Sequence, residues 1–274
     1  MTHDDGMSKR VPRVSMGMTP SAIRDRLVAE GRRIFQEPPR QIDFAKDHDA
    51  DTLLNDLAGH PHAFVLACIM DRQIKAELAW VIPFRIGQRL NDFSFAGLRK
   101  LSLEEVQRLM SEPSPLHRFV NEMSMNFHAA VQRIGDAYSG DASRIWSGRP
   151  SSADVIYRFL GFRGVGPKIA TMATNILARE FKVLFSDYYS IDVSADVHVK
   201  RVFARLGLCS SDASVEEVVY RERALHPEFP GLMDLPAWKI GREWCRPKHP
   251  LCTECVVQDV CPTASDCSRK AAQA

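Results

Sequence analysis

Cys245, Cys252, Cys255 and Cys261 stand in the order C-x6-C-x2-C-x5-C within 17 residues near the C-terminus. Four thiolates so close along a chain can wrap one small inorganic centre, and all-sulfur ligation selects zinc or an iron–sulfur cluster. Zinc ribbons divide their ligands between two C-x2-C knuckles separated by about 12 to 20 residues. This segment has one such pair and no second hairpin for the other two ligands. A compact loop around a [4Fe-4S] cubane fits the spacing better, with zinc or a disulfide pair as the competing readings. Disulfides are disfavoured because no secretory signal is visible and Cys68, Cys209 and Cys267 are scattered.

With 274 residues the chain can bury one large core or two modest ones. No apolar run approaches the roughly 20 residues needed to cross a bilayer. The longest, 63–70, stops at Asp71 and Arg72. No membrane partner is therefore expected, and the location expected is intracellular, cytoplasmic or in a bacterial nucleoid. A formal net charge of +2 neither demands nor excludes nucleic acid, since a basic face can be balanced by acidic surface elsewhere. Motifs must carry that question.

Residues 1–20 are polar, Met-rich and aperiodic, and read as a mobile tail in which Arg10 and Arg13 are solvated. Ser21 is expected to cap a helix running through Gln36, with Ile23, Leu27 and Ile34 on one stripe and Pro38 and Pro39 ending it. From Asp51 onward nearly every segment has helical period: 51–58, 64–81, 102–111, 116–134, 142–146, 152–160, 167–180, 195–206, 215–226 and 235–244. The short run 182–185 is the one β-like stretch, with loop as its alternative reading. The expected class is all-α, with the cysteine segment as a small terminal appendage.

Between two of these helices lies Phe162-Arg163-Gly164-Val165-Gly166-Pro167-Lys168-Ile169-Ala170. Gly164 and Gly166 permit a tight turn with outward-pointing N–H groups, Val165 is expected to pack inward, and Pro167 suits the first turn of a helix. Bare N–H groups and the helix dipole together favour a phosphate. The dinucleotide G-x-G-x-x-G order is absent, and the Walker pattern fails because Pro167 precedes Lys168 and Ile169 replaces the Ser/Thr. Taken alone, the turn is as consistent with an ordinary helix–helix connection.

The order of helix, G-V-G-x-K-x-A, a gap of about thirty residues, Asp196-Val197-His198 and then the four cysteines resembles the helix-hairpin-helix DNA glycosylases, specifically their endonuclease III-like branch with its cluster. The resemblance covers about 64–261. It implies a two-lobed all-α fold with a [4Fe-4S] loop, acting as a monomer on double-stranded DNA that carries a damaged or modified base. The implied domains are a helical barrel over 49–182, holding the hairpin, and a cluster domain made of 21–48 and 183–274.

The same resemblance implies individual roles. Lys168 takes the place of the lysine that attacks C1′ of the deoxyribose, giving glycosylase and β-elimination lyase chemistry; burial and the helix dipole are expected to lower its pKa. Read without the family, it is a phosphate-binding or solvated lysine. Asp196 takes the place of the catalytic aspartate, which stabilises an oxocarbenium-like transition state or deprotonates Lys168 or a water; its plainer role is helix N-cap. Gln73 falls where a glutamine enters the duplex beside the extruded nucleotide, or it is a polar helix-end residue. Arg246 and Lys248, with Arg242 and His249, put positive charge around the cysteine loop, to grip phosphates or to offset a thiolate-bound cluster.

The chain departs from the family pattern at several places. Arg163 stands where proline is common, Val197 where threonine follows the aspartate, and Ala76 where pyrimidine-lesion enzymes carry an acidic group. The loop 181–194, with Asp187, Tyr188 and Tyr189, is longer than usual. Two rival functions stay open: a monofunctional glycosylase using water activated by Asp196, and a non-catalytic iron–sulfur protein that binds DNA.

Overall fold

Helical period governs the structure almost throughout. The computed structural model describes residues 19–265, among which there is no β-strand. The tail with Arg10 and Arg13, up to residue 18, and Cys267 lie outside the described residues. The described residues divide into two units, one formed by 34–194 and the other by 19–33 with 195–265.

The larger unit is built around one helix. α2 (His48–Asn55), α3 (Pro61–Met70), α4 (Ala76–Trp80) and α5 (Ile82–Leu90) are followed by α6 (Phe95–Arg99) and α7 (Leu103–Ser111). Then come α8 (Val120–Tyr138), α9 (Ser152–Leu160) and α10 (Pro167–Arg179). Every residue of α3 is buried, as expected for a helix apolar on all sides. It packs against α2, α5, α8 and α10. Phe64, Leu66, Ile69 and Met70 are fully enclosed there, and burying each contributes about 1.5–3 kcal/mol. Phe64 also meets the edges of Trp146 and Phe181. Capping is explicit in α7, where Ser102 and Glu105 complete a reciprocal capping box.

The smaller unit comprises most of α1 (Pro20–Gln36), then α11 (Val197–Arg205), α12 (Val215–Leu225) and α13 (Asp234–Glu243). α11 packs closely on α13. Gly241 makes this possible, because a Cβ there would sit 2.8 Å from the His198 Cβ and 3.1 Å from its backbone. Two short 3-10 turns, Cys252–Glu254 and Gln258–Val260, shape the cysteine segment.

Two local expectations change. α1 begins at Pro20, and Thr19 rather than Ser21 caps it, its Oγ1 accepting from the Ala22 N–H at 3.2 Å. The helix expected over 64–81 breaks after Met70, because the chain leaves the core at Asp71 and Gln73 takes a left-handed φ of 54°. α5 and α6 are two further helices, in keeping with the helical period expected of nearly every segment after Asp51. For 182–185 the loop reading holds: the Val183 N–H goes to the Leu177 carbonyl and the Ser186 N–H to that of Pro150.

Candidate nucleic-acid interface and cysteine loop

The glycine hairpin closes with the Val165 N–H on the Phe162 carbonyl at 3.1 Å. Gly164 has φ +81°, open to glycine and costly for other residues. A Cβ there would also lie 2.6 Å from Asn126 Nδ2 and 3.0 Å from Arg72 Nη1, so the turn presses directly on α8 and on the loop after α3. The Arg163 Nε donates to Asn126 Oδ1 at 3.0 Å, and Asn126 is 1% exposed. Gly166 differs. It caps α10 with φ −106°, and nothing lies within 4 Å of the place its Cβ would occupy. Val165 is half-buried.

Beside the hairpin, the loop 71–75 is fastened at Arg72 and Gln73. His117 Nε2 bonds to the Arg72 carbonyl at 3.1 Å, and Arg72 Nη1 reaches Glu122 Oε1 at 3.2 Å. Burial lowers the pKa of His117, which favours the neutral ring with Nε2–H donating to that carbonyl. Gln73 sits at the tip with its side chain exposed, and its own carbonyl accepts from Arg118 Nη1 at 3.4 Å. A non-glycine residue held left-handed costs about 1–2 kcal/mol, so the surroundings fix this tip against local preference.

Lys168 is the second residue of α10, just after Pro167, and its side chain is exposed. The burial expected of it is not found, because the first turn of α10 projects it away from the packed face that Ile169 and Ala170 bury. Asp71, at the end of α3, is half-buried and receives the Trp80 indole N–H on Oδ2 at 3.4 Å. Burial raises its pKa, opposed by the Trp80 hydrogen bond and by the nearby Lys168 ammonium. Asp71, Arg72 and Asn126 were not singled out from sequence, since their partners come from distant segments.

In the other unit, Asp196 is the N-cap of α11. Its Oδ1 accepts from the His198 and Val199 N–H groups at 2.8 and 2.9 Å, which holds the half-buried carboxylate rigid. His198 Nδ1 lies 3.0 Å from Arg201 Nη2, and its ring meets Trp238.

The cysteine segment hangs on two arginines of α11. Arg201 donates to the carbonyls of Cys245 and Gly241, both at 2.7 Å. Arg205 Nη1 lies 3.3 Å from Cys245 Sγ and donates to the Arg246 carbonyl at 2.7 Å; its Nη2 donates to the Pro247 carbonyl at 3.0 Å. The Cys261 thiol and the Thr263 hydroxyl both donate back to the Arg205 carbonyl. Burial pushes the Cys255 thiol pKa up, and the neighbouring Cys261 and Cys245 sulfurs push it further. The candidate donors are all sulfur, Cys261 and Cys245 both act on Cys255, and the Arg205 guanidinium stands beside Cys245, a chemistry that suits thiolate ligation. Among the described residues no three His, Cys, Asp or Glu side chains gather into a single-ion site. Arg246 and Lys248 are exposed on the connecting loop.

No protein-family model matches the chain. It is 32% identical over 105 residues to Endonuclease III-like protein 1 of Gallus gallus, covering 37% of this chain and 34% of the chicken protein. The chain therefore spans about a third of that relative's length. It is 27% identical over 194 residues to Endonuclease III of Thermotoga maritima, covering 65% of this chain and 82% of that protein. Among solved structures it resembles a trapped endonuclease III–DNA covalent intermediate, with TM-score 0.54, 19% identity and coverage of 81% and 96% of the two chains. It also resembles a thermostable thymine-DNA glycosylase, with TM-score 0.60, 14% identity and coverage of 90% and 98%. The chain has the fold of these helix-hairpin-helix glycosylase structures, and its sequence is similar to endonuclease III proteins over part of its length.

Proposed function

We propose that the protein is a base-excision DNA glycosylase with associated lyase activity, acting on double-stranded DNA that carries a damaged or modified base. The observation that carries this reading is Gly166. Its backbone angles suit any residue and the space beside it is open, so the described residues give no reason for glycine there. A phosphate seated against the bare N–H groups at the start of α10 supplies the reason, because any side chain would keep it away.

Within this reading, Gly164, Val165 and Gly166 hold a backbone phosphate, and Gln73 enters the duplex where the target nucleotide has been extruded. The rigid, exposed tip suits that task, since it keeps the amide pointing outward before DNA arrives. Lys168 is the nucleophile: its neutral amine attacks C1′, and the C1′–base bond breaks with its electron pair leaving on the base. The resulting imine allows β-elimination. Asp196, with one oxygen fixed by the α11 cap, stabilises positive charge on the sugar ring. Arg246 and Lys248 contact phosphates, and a monomer suffices for all these roles.

Cys245, Cys252, Cys255 and Cys261 would hold a [4Fe-4S] cluster, which when bound cross-links the C-terminal loop and fixes the shape of its basic surface. The exposure of Lys168 favours one second reading, in which Asp196 activates water and Lys168 only contacts DNA. Duplexes bearing different lesions, scored separately for base release and strand scission, test both. Release with scission supports the bifunctional reading, release alone supports the second, and neither on any lesion overturns the proposal.

A further inference from the structure

We infer that Arg133 is a second DNA-phosphate contact, standing beside the glycine hairpin with its guanidinium set in place before DNA arrives. The inference deepens the reading of that hairpin as a backbone-phosphate site and rests on it. Seven arginines of the larger unit are half-buried. Six of them, Arg72, Arg85, Arg89, Arg99, Arg158 and Arg179, donate hydrogen bonds to a carboxylate or a carbonyl. Arg133 donates none among the described residues, and no carboxylate pairs with it. Its helix offers no acid: Asp136, one turn on, is taken by Arg99 at 2.5 Å, and the other neighbours a turn away are Ala129, Ala130 and Ala137.

The guanidinium lies on an aromatic face instead. Its carbon is 5.4 Å from the Phe162 ring centroid, and Phe162, 2% exposed, stacks on Tyr138 with centroids 6.2 Å apart. Gly161 leaves room for it: at an ordinary φ of −71°, a Cβ there would lie 2.2 Å from Arg133 Nη2. The last carbonyls of α9 take no hydrogen bond from Arg133, so capping that helix does not account for the charge. Nε is sealed without a partner, whereas the Nη groups are not, so the outer end of the fork reaches the surface. Unmet donors cost free energy, and a side chain with five N–H groups and no acceptor of its own calls for an anion. Stacking already fixes the plane, so little freedom is left to lose when one is gripped.

The position selects which anion. Phe162, under the guanidinium, is also the residue whose carbonyl closes the hairpin by accepting the Val165 N–H at 3.1 Å. Arg133 and the bare N–H groups at the start of α10 therefore flank one turn. Along α8, Arg133 stands seven residues beyond Asn126, against which Gly164 presses, a separation of about 10 Å. A DNA strand carries a phosphate for about every 3.4 Å of helix axis, so the two sites suit phosphates about three nucleotides apart on one strand.

The test is the salt dependence of binding to an undamaged duplex, in which each phosphate contact adds about 0.9 to the steepness of log K against log salt. Arg133→Met keeps an apolar stem on Phe162 and removes the charge. It should weaken binding by a similar factor on every sequence and make the slope shallower by about 1, while thermal melting reports any loss of packing separately. Arg133→Lys should keep the wild-type slope. A wild-type slope in Arg133→Met overturns the inference. Should that variant not fold, the wild type can be treated with phenylglyoxal and modification of Arg133 mapped by mass. Duplex must protect it, and equal modification with and without DNA is contrary. If Gly166→Ala loses affinity while Arg133→Met does not, the hairpin reading stands and this inference alone falls. A wild type that binds no duplex removes both.

Discussion

The guanidinium of Arg163 donates to the buried amide oxygen of Asn126 at 3.0 Å, tying the glycine hairpin to the middle of α8. Family members commonly carry proline at the Arg163 place, which rigidifies the turn through its own ring. Here a hydrogen bond to a different helix does that work. Replacing Asn126 with Leu leaves Arg163 without its acceptor and should destabilise the fold by about 1–3 kcal/mol. Urea denaturation measures this, and duplex affinity should fall with it.

The two hairpin glycines should respond in opposite ways. Gly164→Ala combines a φ of +81° with a Cβ 2.6 Å from Asn126 Nδ2, and should cost about 2 kcal/mol or more of stability. Gly166→Ala meets open space at φ −106° and should leave stability unchanged or raise it by up to about 1 kcal/mol. Its duplex affinity should nevertheless drop, by about tenfold or 1.4 kcal/mol, because the methyl group intrudes on the phosphate. Thermal melting and binding titrations on the pair separate folding from recognition. Unchanged binding by Gly166→Ala would remove the phosphate role.

Several of the candidate residues were legible in the sequence, and the reasons for the rest are physical. The start of α10 and the Asp196 cap are local: Gly-Pro and Asp before an apolar-periodic run act within four residues, and both stand where expected. The break after Met70 was hidden because 64–81 keeps apolar residues at helical spacing. Only the left-handed turn at Gln73, fastened by Arg118, by Glu122 through Arg72, and by His117, interrupts it. The part played by Asn126 arises from a partner 37 residues away, which no local window contains, and that of Asp71 from Trp80, which meets it only because the helix breaks between them. Lys168 was expected to be buried, yet the packed stripe of α10 starts one residue later.

Gln73→Gly removes a strained left-handed side chain while deleting the amide proposed to enter the duplex. Stability should change by no more than about 1 kcal/mol, since relief of strain is offset by the greater freedom of glycine in the unfolded chain. Base excision should fall steeply. A variant that excises at the wild-type rate would show that Gln73 is merely a surface residue.

The pH dependence of stability should carry the mark of His62. Burial lowers its pKa to about 4 from the ordinary 6.5, and it is 5% exposed with Nε2 3.1 Å from the Phe93 carbonyl. The unfolded chain therefore binds the extra proton more readily. Stability supplied by the neutral ring is full above about 6.5 and is lost as pH falls toward 4, a change of about 3 kcal/mol. His62→Gln should flatten this slope in denaturation curves recorded across that window.

Arg205 joins α11 to the cysteine loop through Cys245 Sγ and the carbonyls of Arg246 and Pro247. Arg205→Leu should yield protein with less bound iron and sulfide per chain, and Arg205→Lys should fall between, because an ammonium cannot reproduce the fork. Iron content and visible absorption of the purified proteins measure this. Full iron loading of Arg205→Leu would contradict the role.

The central claim is that Lys168 forms the covalent bond to the sugar. The direct measurement is borohydride reduction with a lesion-bearing duplex, followed by digestion and mass mapping of the DNA-linked peptide. The account predicts one adduct on Lys168 in the wild-type protein and none in Lys168→Ala. An adduct on a different residue, or undiminished trapping by Lys168→Ala, would contradict it.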